Sequence, residues 1–288
     1  MKLKNIFLSL TAILIFSTVS FSQEDRLAVR IAADNAISNQ LRQEGVKYET
    51  KRAILWVEKD GLTQKELEEF GTLVNQGILD IEKYTGIKFD KKRYQADKLE
   101  YFINSKPGIS RGNIERKPFI YLPLVRVKEK KAPYLHETAH KIAYKSSEAL
   151  WMSEGFCDYV QTYVAKHYGG YNVSFTFNPK NTDIDQLAKD HLKTDAGKKL
   201  LSLIGLNGSP LKMNEEQREP YRPIFEDRRV SARIFYNLSE SFVKFLVAQI
   251  GLKKLIKIFD SADMRSNSTK ITGKSVDDWK ADWLKSLT

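Results

Sequence analysis

The chain has 288 residues, with 47 Lys and Arg against 36 Asp and Glu and a formal net charge of +11. A content of 42% hydrophobic and 29% charged residues excludes a disordered, collagen-like or multi-span membrane chain. The single Cys excludes an intrachain disulfide framework and any Cys-rich zinc finger, and the length suffices for one large domain or two small ones with a real core.

Residues 1–22 read as a secretory signal peptide. Lys2 and Lys4 form a short basic start, and Ile6 to Phe16 is an apolar run well short of the roughly 20 residues that span a bilayer. Ser20-Phe21-Ser22 then puts small residues at the −3 and −1 positions, so cleavage is expected near Ser22–Gln23. This predicts a secreted or periplasmic protein, basic at 45 Lys and Arg against 36 Asp and Glu, with no integral membrane span in the mature chain.

In the mature chain, Arg26 to Arg42 is compatible with a helix, and Arg52 to Glu58 is a compact β-favouring run that Gly61 breaks. Thr63 and Glu66 have the spacing of a capping box, in which hydroxyl and carboxylate each satisfy a free backbone N–H. Leu67, Phe70, Val74, Ile78 and Ile81 follow at helical spacing up to Gly86. Leu99 to Asn104 and Pro118 to Val127 read as strands, and the two prolines of the second predict a sheet edge, since Pro gives no ladder donor. Helices are expected at Leu135 to Lys145 and Ala149 to Tyr168. Residues 171–230 show no clear period. Further helices are expected at Val230 to Ile250, Leu252 to Phe259 and Val276 to Leu287. A strand, helix, strand, strand order followed by helices predicts an α+β protein, one domain over 23–288, with an α/β lobe over about 23–145 and a helical lobe over about 146–288.

The chemistry concentrates at His136-Glu137-Thr138-Ala139-His140, an H-E-x-x-H sequence. On a helix, residues i and i+4 share a face, so both imidazoles can ligate one ion while Glu137 points aside, where it can reach a water on that ion. Thirteen residues separate His140 from Glu154, and Ser146-Ser147 marks a turn between them. If the two helices form an antiparallel hairpin about Ser147, His140 and Glu154 both lie seven residues, about 10 Å, from the turn. Glu154 then completes a His, His, Glu set with a fourth position left for water. His136 and Asp158 are each eleven residues from Ser147, so Asp158 can accept the second ring N–H of His136. Two imidazoles and a carboxylate suit Zn²⁺, one per chain.

The segment from His136 to Asp158 resembles the gluzincin metallopeptidases, whose H-E-x-x-H helix is followed by a helix carrying a ligand Glu. Trp151-Met152-Ser153-Glu154-Gly155-Phe156 is similar to the W-x-x-E-G-F/L stretch of peptidase MA-like proteins, and Glu154-x-x-x-Asp158 to the E-x-x-x-D pair of the thermolysin-like branch. Tyr236 opens a stretch similar to the Y-x-x-S-x-S-F-V-x-x-L helix of the MA-like proteins. The resemblance implies a zincin-like fold, with the active-site helix between a small mixed-sheet lobe and a helical lobe. It implies peptide-bond hydrolysis with Glu137 as general base and a protein or peptide as substrate. No G-x-M-E-N element is found, which points away from the aminopeptidase branch.

An oxyanion donor is also needed. Tyr236 is the candidate, by position on the helix that resembles the family's; Tyr221, Arg233, His167 and Tyr168 are alternatives, as is a Tyr236 that simply packs on the core. Cys157 reads as a small buried residue rather than a thiolate ligand, and Trp151 as a core anchor. Two other functions stay open: a non-catalytic zinc-stabilised envelope binding protein, and a hydrolase of peptidoglycan or glycopeptide. Nucleic-acid binding is not expected, since the chain carries no such motif.

Overall fold

In a computed structural model, the described residues are 23–106, 108, 110–113, 115, 117–143, 149–171, 182–208, 213–227, 229–261 and 263–288. The signal-peptide segment and the turn at Ser146-Ser147 lie outside them.

The first element is α1 (Gln23–Glu44), followed by β1 (Val46–Glu49) and β2 (Ala53–Val57). The helix α2 (Gln64–Thr85) has the capping box expected at Thr63 and Glu66 and closes at Gly86, whose φ of 72° is one that a residue with a Cβ seldom takes. Then come α3 (Lys91–Tyr94), β3 (Leu99–Asn104), β4 (Arg111–Gly112), β5 (Phe119–Pro123) and α4 (Leu124–Lys128). No strand follows among the described residues.

The five strands form one mixed sheet in the order β1-β2-β3-β5-β4. Strands β2, β3 and β5 run parallel, while β1 and β4 are antiparallel partners at the two edges. The α+β expectation holds, with one correction. The prolines of 118–127 predicted an edge strand, but β5 is flanked on both sides, and β4 takes the edge. Pro118 precedes β5 and Pro123 is its last residue, so neither removes a hydrogen bond from the strand's middle. The same Pro123, with φ −63°, starts α4, so Leu124 to Val127 is helical where a strand was expected.

The period of two along each strand divides the core between the two faces. Ala53, Leu55, Val57, Leu99, Tyr101, Ile103, Ile120 and Leu122 pack with Leu67, Phe70, Val74 and Ile78 of α2. Phe102, Phe119 and Tyr121 face the other way, with Trp56, against Ile37 and Leu41 of α1. Arg42 of α1 lies over the Phe102 and Phe119 rings at 5.1 and 4.7 Å.

The remaining described elements are helices: α5 (Tyr134–Ile142), α6 (Leu150–His167), α7 (Ile184–Leu192), α8 (Asp195–Leu201), α9 (Glu215–Arg218), α10 (Arg222–Glu226), α11 (Ser231–Ile250), α12 (Leu252–Phe259), α13 (Met264–Thr272) and α14 (Val276–Ser286). Helix α5 packs on α2 and α6, and α6 packs most extensively on α11. Trp151 anchors the start of α6 as expected, buried with its ring stacked on Phe242 of α11 and its Nε1 donating to the Leu206 carbonyl at 3.1 Å. No helix among the described residues is long and apolar enough to cross a membrane.

Candidate metal centre

Helix α5 buries Leu135, Ala139 and Ile142 in the core. That apolar stripe fixes its rotation and turns His136 and His140, one turn apart, toward α6. Across from them, α6 carries Glu154 and Asp158, also one turn apart. The Nε2 atoms of His136 and His140 are 3.0 Å apart, and Glu154 Oε2 is 3.2 Å from the first and 3.4 Å from the second. Behind them, His136 Nδ1 meets Asp158 Oδ1 at 2.6 Å. The pairs 140/154 and 136/158 are thus level, as a hairpin centred on Ser147 requires.

A carboxylate can only accept, so the proton at that contact sits on Nδ1 of His136, and it is the neutral imidazole that presents a lone pair at Nε2. Three potential ligand atoms, Nε2 of His136, Nε2 of His140 and a carboxylate oxygen of Glu154, therefore converge on one point. Tetrahedral ligands with zinc bonds of about 2.0–2.1 Å stand about 3.3 Å from one another. The three observed separations bracket that value, so the residues present fit a small dication.

Electrostatics follows from this crowding. Burial alone would lower the His136 pKa, but the carboxylates of Asp158 and Glu154 raise it well above its ordinary value. For Glu154, burial opposes ionisation, yet the two imidazoles outweigh it and hold the carboxyl low. Glu137 behaves oppositely: burial dominates and raises its pKa, which brings a carboxylate nearer to the pH where it can both take and return a proton. Burial, reinforced by Glu154 and Asp158, pushes the Cys157 thiol well up, so it stays a neutral packed side chain.

Tyr236 reaches the site from α11. Its ring lies on that of His136, with centroids 6.2 Å apart and planes inclined by 21°. Its hydroxyl is hydrogen-bonded to Glu154, and burial together with the Glu154 charge keeps the phenol protonated. The geometry therefore gives it the orienting of a candidate ligand. Of its rivals, His167 stacks on Tyr163 at the far end of α6, about 20 Å of helix from Glu154. Tyr168 sits under Lys83, and the exposed Arg233 acts on His191.

Four contributors escaped the sequence reading. Ser153 Oγ stands 3.4 Å from His140 Nδ1. Thr138 bonds Tyr101 of β3 at 2.5 Å and so ties the H-E-x-x-H helix to the sheet. Lys141 is buried, and its Nζ donates to the carbonyls of Asn113 and Lys117 at 2.8 and 3.0 Å, fastening the β4–β5 connection to α5. Glu240 of α11 is buried too, and its Oε1 accepts from Thr162 Oγ1 at 2.7 Å. It lies one turn beyond Tyr236, and an acidic residue on the apolar side of that helix was its only signal in the sequence.

Gly155, beside Glu154, sets how closely α6 approaches α11. A Cβ there would stand 2.5 Å from the Ser239 carbonyl oxygen and 2.6 Å from its carbon, both rigid backbone. Gly155→Ala should therefore force the helices apart and destabilise the protein by roughly 1–3 kcal/mol, the usual cost of overpacking. Urea unfolding measures it, and an unchanged midpoint would show that the helices yield freely.

An apolar cavity of about 470 Å³ lies between the start of α2 and the α4–α5 connection, lined by Leu62, Phe70, Leu73, Val127 and Tyr134. It includes none of the three candidate ligands. No family model matches this chain, and no curated protein matches it.

Proposed function

We propose that the chain is an exported, zinc-dependent peptidase of the gluzincin type, with a zincin-like fold and with His136, His140 and Glu154 as the ligands. The observation that carries this reading is the convergence of those three donor atoms, each 3.0–3.4 Å from the next. Further support comes from the H-E-x-x-H sequence on α5 and the Asp158 carboxylate against Nδ1 of His136.

Zinc, when bound, would acidify a water and polarise a scissile carbonyl. Asp158 holds the His136 tautomer through Nδ1, which frees Nε2 to ligate. Tyr236 steadies Glu154 through its hydroxyl. Glu137 takes a proton from the attacking water at its carboxylate and returns it to the leaving amine. Its burial keeps that carboxyl poorly solvated and so more basic.

The purified mature protein should contain about one zinc per chain by mass spectrometry and cleave casein. Zinc without cleavage of casein, but with release of fragments from peptidoglycan or a mucin-type glycopeptide, would move the activity to those bonds. Zinc with no hydrolysis of any of the three would favour a zinc-stabilised binding protein. No zinc would remove the reading.

A further inference from the structure

The apolar cavity of about 470 Å³ takes no part in the metal centre, and its place in the fold is specific. The strand register sets Val57 beside Ile103 and Ile103 beside Leu122, so β2, β3 and β5 end level with one another. Leu62 lies in the connection that leaves the carboxyl end of β2, and Val127 and Ala132 follow the carboxyl end of β5. The cavity therefore lies outside the carboxyl ends of the parallel strands, where open α/β sheets take their ligands. Two of its lining rings, buried Phe70 and Tyr134, pack edge to face with centroids 5.3 Å apart, and half-buried Leu62 and Leu73 extend the apolar lining. We propose that this cavity is a binding site for an uncharged, largely apolar small molecule. The inference goes beyond the peptidase reading and does not depend on zinc, because the cavity includes none of the three candidate ligands.

Size and charge decide the class of ligand. The volume falls within the roughly 300–1,000 Å³ of small-molecule sites. A molecule that exchanges water for this lining gains in proportion to the apolar surface it buries. At the mouth, Glu66, Glu68 and Glu69 of α2 stand with Lys128 and Lys130 at the end of α4. Each acid is already engaged along α2. Glu66 accepts from the backbone N–H and the hydroxyl of Thr63 at 2.8 Å each, and Glu68 accepts from Gln64 Nε2 at 2.6 Å. Glu69 faces Lys65 at 4.0 Å. The ammonium charges of Lys128 and Lys130 bear in turn on Glu66. With Lys65 counted, the rim carries three positive and three negative groups, so it favours neither an anion nor a cation. Selection is left to the apolar interior, which disfavours any charge brought into it without a partner.

The test is calorimetric titration of the mature protein with octanol, nonanol and decanol. One molecule per chain should bind, and each added methylene should tighten binding about fourfold, the worth of one buried CH₂. Decanoate and decylammonium carry nearly the same chain with opposite charges; they should bind alike, and no tighter than decanol. Leu73→Trp puts an indole into the cavity from its wall and should weaken decanol binding by roughly 10-fold or more, since the apolar surface it covers is no longer there to bury. If circular dichroism shows Leu73→Trp unfolded, Leu62→Trp, on the connection before α2, takes its place with the same expectation. Failure of all three alcohols to bind, an affinity independent of chain length, or wild-type decanol affinity in the filled variant would each overturn the proposal. So would a preference of more than about tenfold between the two charged homologues, which would show a rim that reads charge. A protein that takes up no zinc yet binds the alcohols as expected would remove the peptidase reading and leave this site in place.

Discussion

Glu137→Gln should keep one zinc per chain and lose hydrolysis by a factor of about 10² to 10⁴, the range supplied by a positioned general base. The amide is nearly isosteric, and Glu137 is not among the three atoms that converge on the candidate metal position. Loading and melting temperature should therefore hold while turnover falls. Glu137 is 6% exposed, and its raised pKa comes first from burial, with Glu154 adding to it and the imidazoles opposing. A carboxyl so placed accepts a proton more readily than a surface glutamate. Measuring zinc content and kcat/KM on the same preparation separates the two roles. Cleavage at the wild-type rate would take the base away from Glu137.

Glu154→Ala should abolish stoichiometric zinc binding, and with it the stabilisation that zinc confers. A ligand held at a thousand times its Kd stabilises a protein by about 4 kcal/mol. For a chain of this size that corresponds to a rise in Tm of roughly 10 °C. Wild type should show that shift in a thermal scan with added zinc, and Glu154→Ala should not. The variant leaves two imidazole Nε2 atoms 3.0 Å apart with no carboxylate oxygen beside them to serve as the third ligand. In the wild type the affinity should also depend on pH, with a definite sign. His136 must lose its Nε2 proton to ligate, and its pKa in the metal-free protein is raised by Asp158 and Glu154 against the effect of burial. Binding therefore weakens as the pH falls through that raised value and strengthens above it. A full Tm shift in Glu154→Ala would place the metal elsewhere.

The hairpin arithmetic was legible because it depends on few assumptions. One turn position and one rise per residue put Glu154 level with His140 and Asp158 level with His136, and the side chains meet in those pairs. Other features left little trace. The edge strand β4 has two residues, too few for any alternation, and an apolar run through Pro123 cannot be divided into strand and helix by period alone. Helix α1 has no strong apolar stripe, and it is held by Ile37, Leu41 and the guanidinium of Arg42 lying on a sheet face that the sequence did not reveal. Glu240 looked like an ordinary charge on an amphipathic helix. Its partner, Thr162 of α6, lies 78 residues earlier and is brought near by packing alone.

The sequence placement of the candidate ligands has a kinetic side. His136, His140 and Glu154 come from two successive helices, so their meeting requires only a short loop to close. Tyr236 and Glu240 arrive on α11, after the intervening helices have been made. During synthesis or refolding, the α5–α6 hairpin can gather its donors while the carboxyl of Asp158 still faces water. Docking of α11 then dries the back of the cluster and locks it. The nascent hairpin is therefore expected to hold metal loosely and the finished protein tightly, so zinc retention becomes a late marker of native packing rather than of helix formation.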